Sequence, residues 1–152
     1  MPGMLGARKI PKPPNVLIGF LLPIYLVHSS FADVLIRDDM GGPLGEYLRT
    51  YTAIRDSGER VIIDGNCYSA CTLVTIIPKD RICITQRAEL GFHAGWVDGQ
   101  PGGRITSAEG TRMLYQLYPP MIRGWISKHG GLGVDTIVLK GRDLAAFYSP
   151  CK

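Results

Sequence analysis

The sequence predicts an α/β domain built on a mainly parallel sheet, and three observations lead to that class. Val34-Leu35-Ile36 and Val61-Ile62-Ile63 are short apolar, largely β-branched runs of the kind that form buried strands. Between them, Leu44, Tyr47, Leu48, Tyr51 and Ile54 recur at helical spacing with charges on the other side. A second helical stretch and a third strand signal over Arg81–Thr85 repeat the unit, so strand, helix and strand alternate as in stacked βαβ units.

Residues 1–32 stand apart from that pattern. Arg8, Lys9 and Lys12 precede an apolar segment from Val16 to Val27, and Ser30-Phe31-Ala32 then gives a small-x-small cleavage pattern. The apolar segment is interrupted by Pro23 and falls short of the roughly 20 residues that a membrane-spanning helix needs. A secretory signal peptide over 1–32 followed by one domain over 33–152 is therefore expected, with an uncleaved anchor as the alternative. The leader holds three of the 17 Lys and Arg and none of the 13 Asp and Glu, so the rest of the chain is nearly neutral. The net charge of +4 thus reports mainly export, and no nucleic-acid partner is expected.

In the predicted exported part, Asp38-Asp39-Met40-Gly41-Gly42 makes a turn after the first strand, and Gly58 ends the helix from Leu44. Asp64-Gly65-Asn66 supplies turn chemistry after the second strand. Ser69 then opens a short apolar helix, Ala70 to Ile77, which Pro78 stops. A hydroxyl at a helix start lies near unpaired backbone N–H groups and the positive end of the helix dipole, an environment that favours negative charge. Past Arg81–Thr85, Ala88 to His93 is expected to re-enter the sheet and deliver an imidazole. Residues Val97 to Arg104 read as a Gly/Pro loop, and Thr106-Ser107-Ala108-Glu109 as a capped helix start. Thr111 to Lys128 places Met113, Leu114, Leu117, Met121, Trp125 and Ile126 on one face, with a break at Pro119-Pro120. His129 reads as a cation at the helix C-terminus.

All four cysteines, Cys67, Cys71, Cys83 and Cys151, come after the leader, and an exported protein meets an oxidising compartment. Two disulfides are expected. Three connectivities are open, among them one in which Cys67 and Cys71 bridge to Cys83 and Cys151 and tie the Ser69 turn to a strand and the chain end. The spacing does not suit a metal site. A nucleophilic Cys71 is disfavoured by the same oxidising compartment.

Gly65-Asn66-Cys67-Tyr68-Ser69, with Ala70-Cys71-Thr72 after it, and Gly91-Phe92-His93 resemble the Clp-type serine proteases of the crotonase superfamily, and more particularly their secreted or periplasmic Clp-like members. The resemblance implies a Clp/crotonase-like fold of repeated β-β-α and βαβ units, truncated at its N-terminus, with a sheet edge left open for another subunit or the tail. It implies Ser69 as nucleophile, His93 as general base, and Asp143, with Asp135 as its rival, as the carboxylate that orients His93. Backbone N–H groups of Gly42 and Ala70 would form the oxyanion hole, Pro43 after Gly42 being a departure from the family pattern. The helical region after Thr106 corresponds to the family's oligomer-building handle, and the substrate would be a peptide or unfolded protein, with no cofactor. The competing class is a non-catalytic binding or structural module on the same fold.

Overall fold

The computed structural model describes residues 32–99 and 103–152. The leader expected over 1–32 therefore lies outside the described residues, apart from Ala32, and so does the centre of the loop expected over 97–104.

Strand β1 (Val34–Ile36) leads through the Gly41-Gly42 turn into helix α1 (Leu44–Ser57), and β2 (Val61–Ile63) comes next. Pro43 is the N-cap of α1, and its carbonyl accepts the Glu46 N–H at 3.0 Å. The proline after Gly42 thus starts the helix, as its fixed φ favours. Gly58 closes α1 with φ +86°, a left-handed cap that costs a glycine little. Val61 and Ile63 are wholly buried, which the β-branched run anticipates.

Strands β4 (Ile82–Ile84) and β9 (Ser149–Pro150) complete a parallel sheet in the order β1-β2-β4-β9, with Ile36, Ile63 and Ile84 in register. The expected α/β class with a parallel sheet is observed. Among the described residues the tail covers the β4 edge through β9, and β1 forms the other edge.

A second sheet was not anticipated. Asn66, expected as the end of the Asp64-Gly65-Asn66 turn, instead opens strand β3 (Asn66–Tyr68), which pairs in parallel with β5 (Glu89–Phe92); β5 pairs antiparallel with β8 (Ile137–Lys140). The chain therefore passes between these two sheets four times: at Asp64-Gly65, between Tyr68 and Ile82, between Ile84 and Glu89, and between Lys140 and Ser149. Asn66 is disfavoured in strands and Tyr68 alone favours one, so the three-residue segment carries no clear strand signal and its pairing comes from the tertiary fold.

The helix expected over Ala70–Ile77 is a 3-10 helix, Ser69–Ile76. Thr72 Oγ1 donates to the Ser69 carbonyl at 2.6 Å and Thr75 Oγ1 to the Thr72 carbonyl at 2.9 Å, both three residues back. Threonine, valine and isoleucine lower α-helix propensity, and local hydroxyl bonds support the tighter winding. Every residue from Ala70 to Thr75 is buried, so this segment is the centre of the core.

The expected Gly/Pro loop begins and ends as an antiparallel hairpin, β6 (Trp96–Asp98) and β7 (Arg104–Thr106). Helix α2 (Ala108–Leu117) starts where its sequence signal places it, Ser107 Oγ accepting the Gly110 N–H at 3.0 Å. The break at Pro119-Pro120 separates it from α3 (Pro120–Lys128). Leu114, Trp125 and Ile126 turn inward as predicted, whereas Met113 is half exposed. At the end of α3, His129 Nδ1 lies 2.7 Å from the Trp125 carbonyl and its ring stacks on Trp125.

The considered cross-bridging of the cysteines is corrected. Cys67 pairs with Cys71 and Cys83 with Cys151. The first bridge joins the middle of β3 to the first turn of the 3-10 helix, and the second joins β4 to the residue after its neighbour β9. The first pair is close in sequence and the second is brought together by the pairing of β9 with β4, with Cα atoms 5.2 and 4.9 Å apart. Two disulfides fit an oxidising compartment. Among the described residues no helix is long and apolar enough to cross a membrane.

Candidate active site

Ser69 sits between a strand and a helix in a conformation that L-residues avoid. Its φ is +55°, one of two positive values among the described non-glycine residues. Such a conformation costs on the order of 1–3 kcal/mol and persists only where the surroundings impose it. Three features impose it here. The Cys67–Cys71 bridge clamps the chain on both sides of Ser69. The buried 3-10 helix anchors the serine from its C-terminal side, and Thr72 adds a 2.6 Å hydroxyl bond with Tyr118, the residue that ends α2. Gly41 closes from the other side.

Gly41 itself has φ +81°, and a β-carbon there would lie 2.7 Å from both Ser69 Cβ and the Tyr68 carbonyl oxygen. The turn that carries it is held by Asp39. The Asp39 carboxylate accepts the Gly41 N–H at 2.8 Å and the Tyr47 hydroxyl at 2.6 Å. The Asp39 backbone bonds Asn66 and Tyr68 of β3. Burial, then the bond to Asp39, pushes the Tyr47 hydroxyl pKa up to about 12. A carboxylate accepting the N–H two residues on is an Asx turn, so the Asp39-Met40-Gly41 spacing was a legible signal for this role.

His93 comes directly after β5, beyond the fully buried Leu90 and Phe92. Phe92 packs edge-on against Tyr118 and at a tilt against Trp125, which fixes the strand end that carries the imidazole. Ser69, Ala70, Gly42 and His93 all line one cleft of about 710 Å³. The structure thus brings together four of the five site residues named from sequence. The other walls include Trp96, Asp98 and Arg104 from the hairpin and Leu114 from α2. Asp98 and Arg104 are opposite each other in the β6–β7 register, so one carboxylate and one guanidinium sit at the rim.

The third triad member is not where the resemblance puts it. Asp143 lies in α4 (Gly141–Ala145), is exposed, and does not line the cleft. In the β5–β8 register Lys140 is opposite Glu89 and Ile137 opposite Phe92, so α4 leaves the sheet at the end remote from His93. Strand rise alone puts about 10 Å between those ends. Asp135 lies beyond the correct end of β8, where the Gly133 carbonyl accepts the Ala94 N–H at 2.7 Å, but it too is exposed and outside the cleft.

Two other groups meet the inner ring nitrogen of His93. Nδ1 lies 2.7 Å from the Ala94 carbonyl oxygen, and the Trp96 indole N–H donates to it at 2.8 Å. No sequence signal marks Trp96 as a partner, since only the hairpin geometry returns it to His93. Among the described residues no three His, Cys, Asp or Glu side chains gather as a metal-ligand set. No family model, no curated protein and no solved structure matches the chain.

Proposed function

We propose that this chain is an exported serine hydrolase with a Clp/crotonase-like fold, acting by acyl transfer on peptides or unfolded protein. The observation that carries the reading is the left-handed Ser69, clamped between a disulfide and Gly41 at a helix start, in one cleft with His93. Strain held at a strand-to-helix serine is the signature of an exposed nucleophile.

In the proposed reaction His93 Nε2 takes the proton from Ser69 Oγ as the Oγ–carbon bond forms. Negative charge develops on the substrate oxygen, and the N–H groups of Gly42 and Ala70 stabilise it from the cleft wall. The imidazolium returns the proton to the leaving amine as the carbon–nitrogen bond breaks. Water, deprotonated in turn by His93, releases the acyl group and restores Ser69. The Ala94 carbonyl, accepting from Nδ1–H, takes the orienting place that a carboxylate holds in a triad. Export places the enzyme away from ATP, so small or unfolded substrates suit it, and the α2–α3 segment is the surface through which copies would assemble.

The second reading is a non-catalytic module on the same scaffold. It is favoured by the Trp96 bond, which occupies the nitrogen that a base histidine uses for orientation. A fluorophosphonate probe on the oxidised protein separates the two. Hydrolase chemistry requires an adduct on Ser69, located by mass spectrometry, that is lost in Ser69→Ala and His93→Ala. An unlabelled, folded, disulfide-intact wild type supports the module.

A further inference from the structure

We propose that Trp96 is a positioning residue that sets the tautomer of His93 and holds the resting site in its non-basic form. The inference rests on the hydrolase reading above and concerns how that site is switched on. Nδ1 of a neutral imidazole offers a single in-plane position, either a proton or a lone pair. Two groups contend for it with opposite demands: the Ala94 carbonyl only accepts, at 2.7 Å, and the Trp96 indole only donates, at 2.8 Å.

Each arrangement has a chemical consequence at Nε2. With the proton on Nδ1, His93 donates to Ala94, and Nε2 carries the lone pair that can take the Ser69 proton. With the Trp96 N–H bonded to Nδ1, the proton moves to Nε2, which is then unable to act as a base. The indole also opposes the later step. Once His93 is doubly protonated, the Trp96 N–H faces another N–H, whereas the Ala94 carbonyl stabilises that cation.

Trp96 is placed so that a substrate can relieve this hold. It opens β6 of a two-stranded hairpin, is half-buried, and lines the same cleft as Ser69. A peptide chain entering the cleft brings carbonyl oxygens, which are acceptors for an indole N–H. Transfer of the Trp96 bond from His93 to a substrate carbonyl frees Nδ1 for Ala94 and delivers the basic tautomer only when the cleft is filled.

Long-range ¹H–¹⁵N spectra of histidine-labelled protein at alkaline pH, with His93→Gln to assign the signal, read the tautomer directly. Wild type should show an unprotonated Nδ1 and a protonated Nε2, and Trp96→Phe should reverse them. The rate of fluorophosphonate labelling at Ser69 should rise about fivefold in the variant, the effect of removing one ordinary hydrogen bond. A wild-type His93 already protonated at Nδ1, or a folded variant with an unchanged tautomer, overturns the proposal even if Ser69 labels. A tautomer that reverses while Ser69 labels in neither protein upholds the role of Trp96 and removes the hydrolase reading instead. If Trp96→Phe does not fold, the wild-type spectrum alone decides.

Discussion

Gly41 and Ser69 are packed so closely that a β-carbon on residue 41 would lie 2.7 Å from the β-carbon of Ser69. The contact links the turn after β1 to the proposed nucleophile, two segments that meet only in the folded state. Gly41→Ala should therefore do double damage. The residue has φ +81°, which costs alanine about 1 kcal/mol, and the new methyl must push Ser69 or the Tyr68 carbonyl away. The expected loss is at least about 2 kcal/mol in denaturant unfolding, together with a loss of Ser69 labelling under conditions where the variant is still folded. Wild-type stability and labelling in the variant would show that the close approach does not hold the serine.

Asp39 and Tyr47 set the same turn, and their bond gives the protein a signature at alkaline pH. An unfolded tyrosine titrates near 10, whereas Tyr47 is raised to about 12 by burial and by its bond to Asp39. The raised value means that this contribution to stability is complete below pH 10 and is lost as pH climbs towards 12, where the unfolded chain has released a proton that the folded one keeps. Tyr47→Phe should flatten the fall in stability across that window. It should also remove one late-titrating phenol from the tyrosinate absorbance, while Tyr51, Tyr118 and Tyr148, raised chiefly by burial, remain.

The two disulfides should separate stability from activity. The Cys83–Cys151 bridge spans 68 residues of sequence and constrains the unfolded chain strongly, by about 4 kcal/mol in the loop-entropy estimate. The Cys67–Cys71 bridge spans only 4 and contributes about 2 kcal/mol by the same reasoning. Yet the shorter bridge brackets Ser69. Cys83→Ala/Cys151→Ala should lower the unfolding midpoint more and leave labelling in the folded fraction intact, whereas Cys67→Ala/Cys71→Ala should lower it less and cut labelling about tenfold or more, the cost of a misplaced reacting group. Equal effects on labelling would mean that the short bridge has no special hold on the serine.

How much of the chain was legible depends on where each signal resides. Val34–Ile36 and Val61–Ile63 announced themselves as short apolar, largely β-branched runs, even though Leu35 of the edge strand β1 is half exposed. Strand β3 was invisible: Asn66, Cys67 and Tyr68 pair with β5 only because the chain leaves one sheet for another at Gly65. The cysteine pairing was equally hidden, since it depends on β9 lying beside β4. Apolar character alone did not separate a 3-10 helix from an α-helix between Ser69 and Ile76; the hydroxyl bonds of Thr72 and Thr75 mark the difference.

Asp143 is the instructive failure, and it yields a test of its own. A sequence interval measured from His93 takes no account of which end of a strand the residue leaves. Here β8 runs antiparallel to β5, so a residue just after Lys140 lies beside Glu89, and Lys140 in turn pairs with Glu89 at 3.3 Å. Loss of a true triad carboxylate costs on the order of 10⁴-fold in rate, because the imidazole then adopts the wrong tautomer. Asp143→Asn should instead label at Ser69 within about twofold of wild type, the range expected of an exposed charge outside the cleft. Asp135→Asn should behave in the same way. A collapse of labelling in either variant, with folding intact, would show that the working site draws that carboxylate onto His93, in which case the Ala94 carbonyl is not its orienting partner.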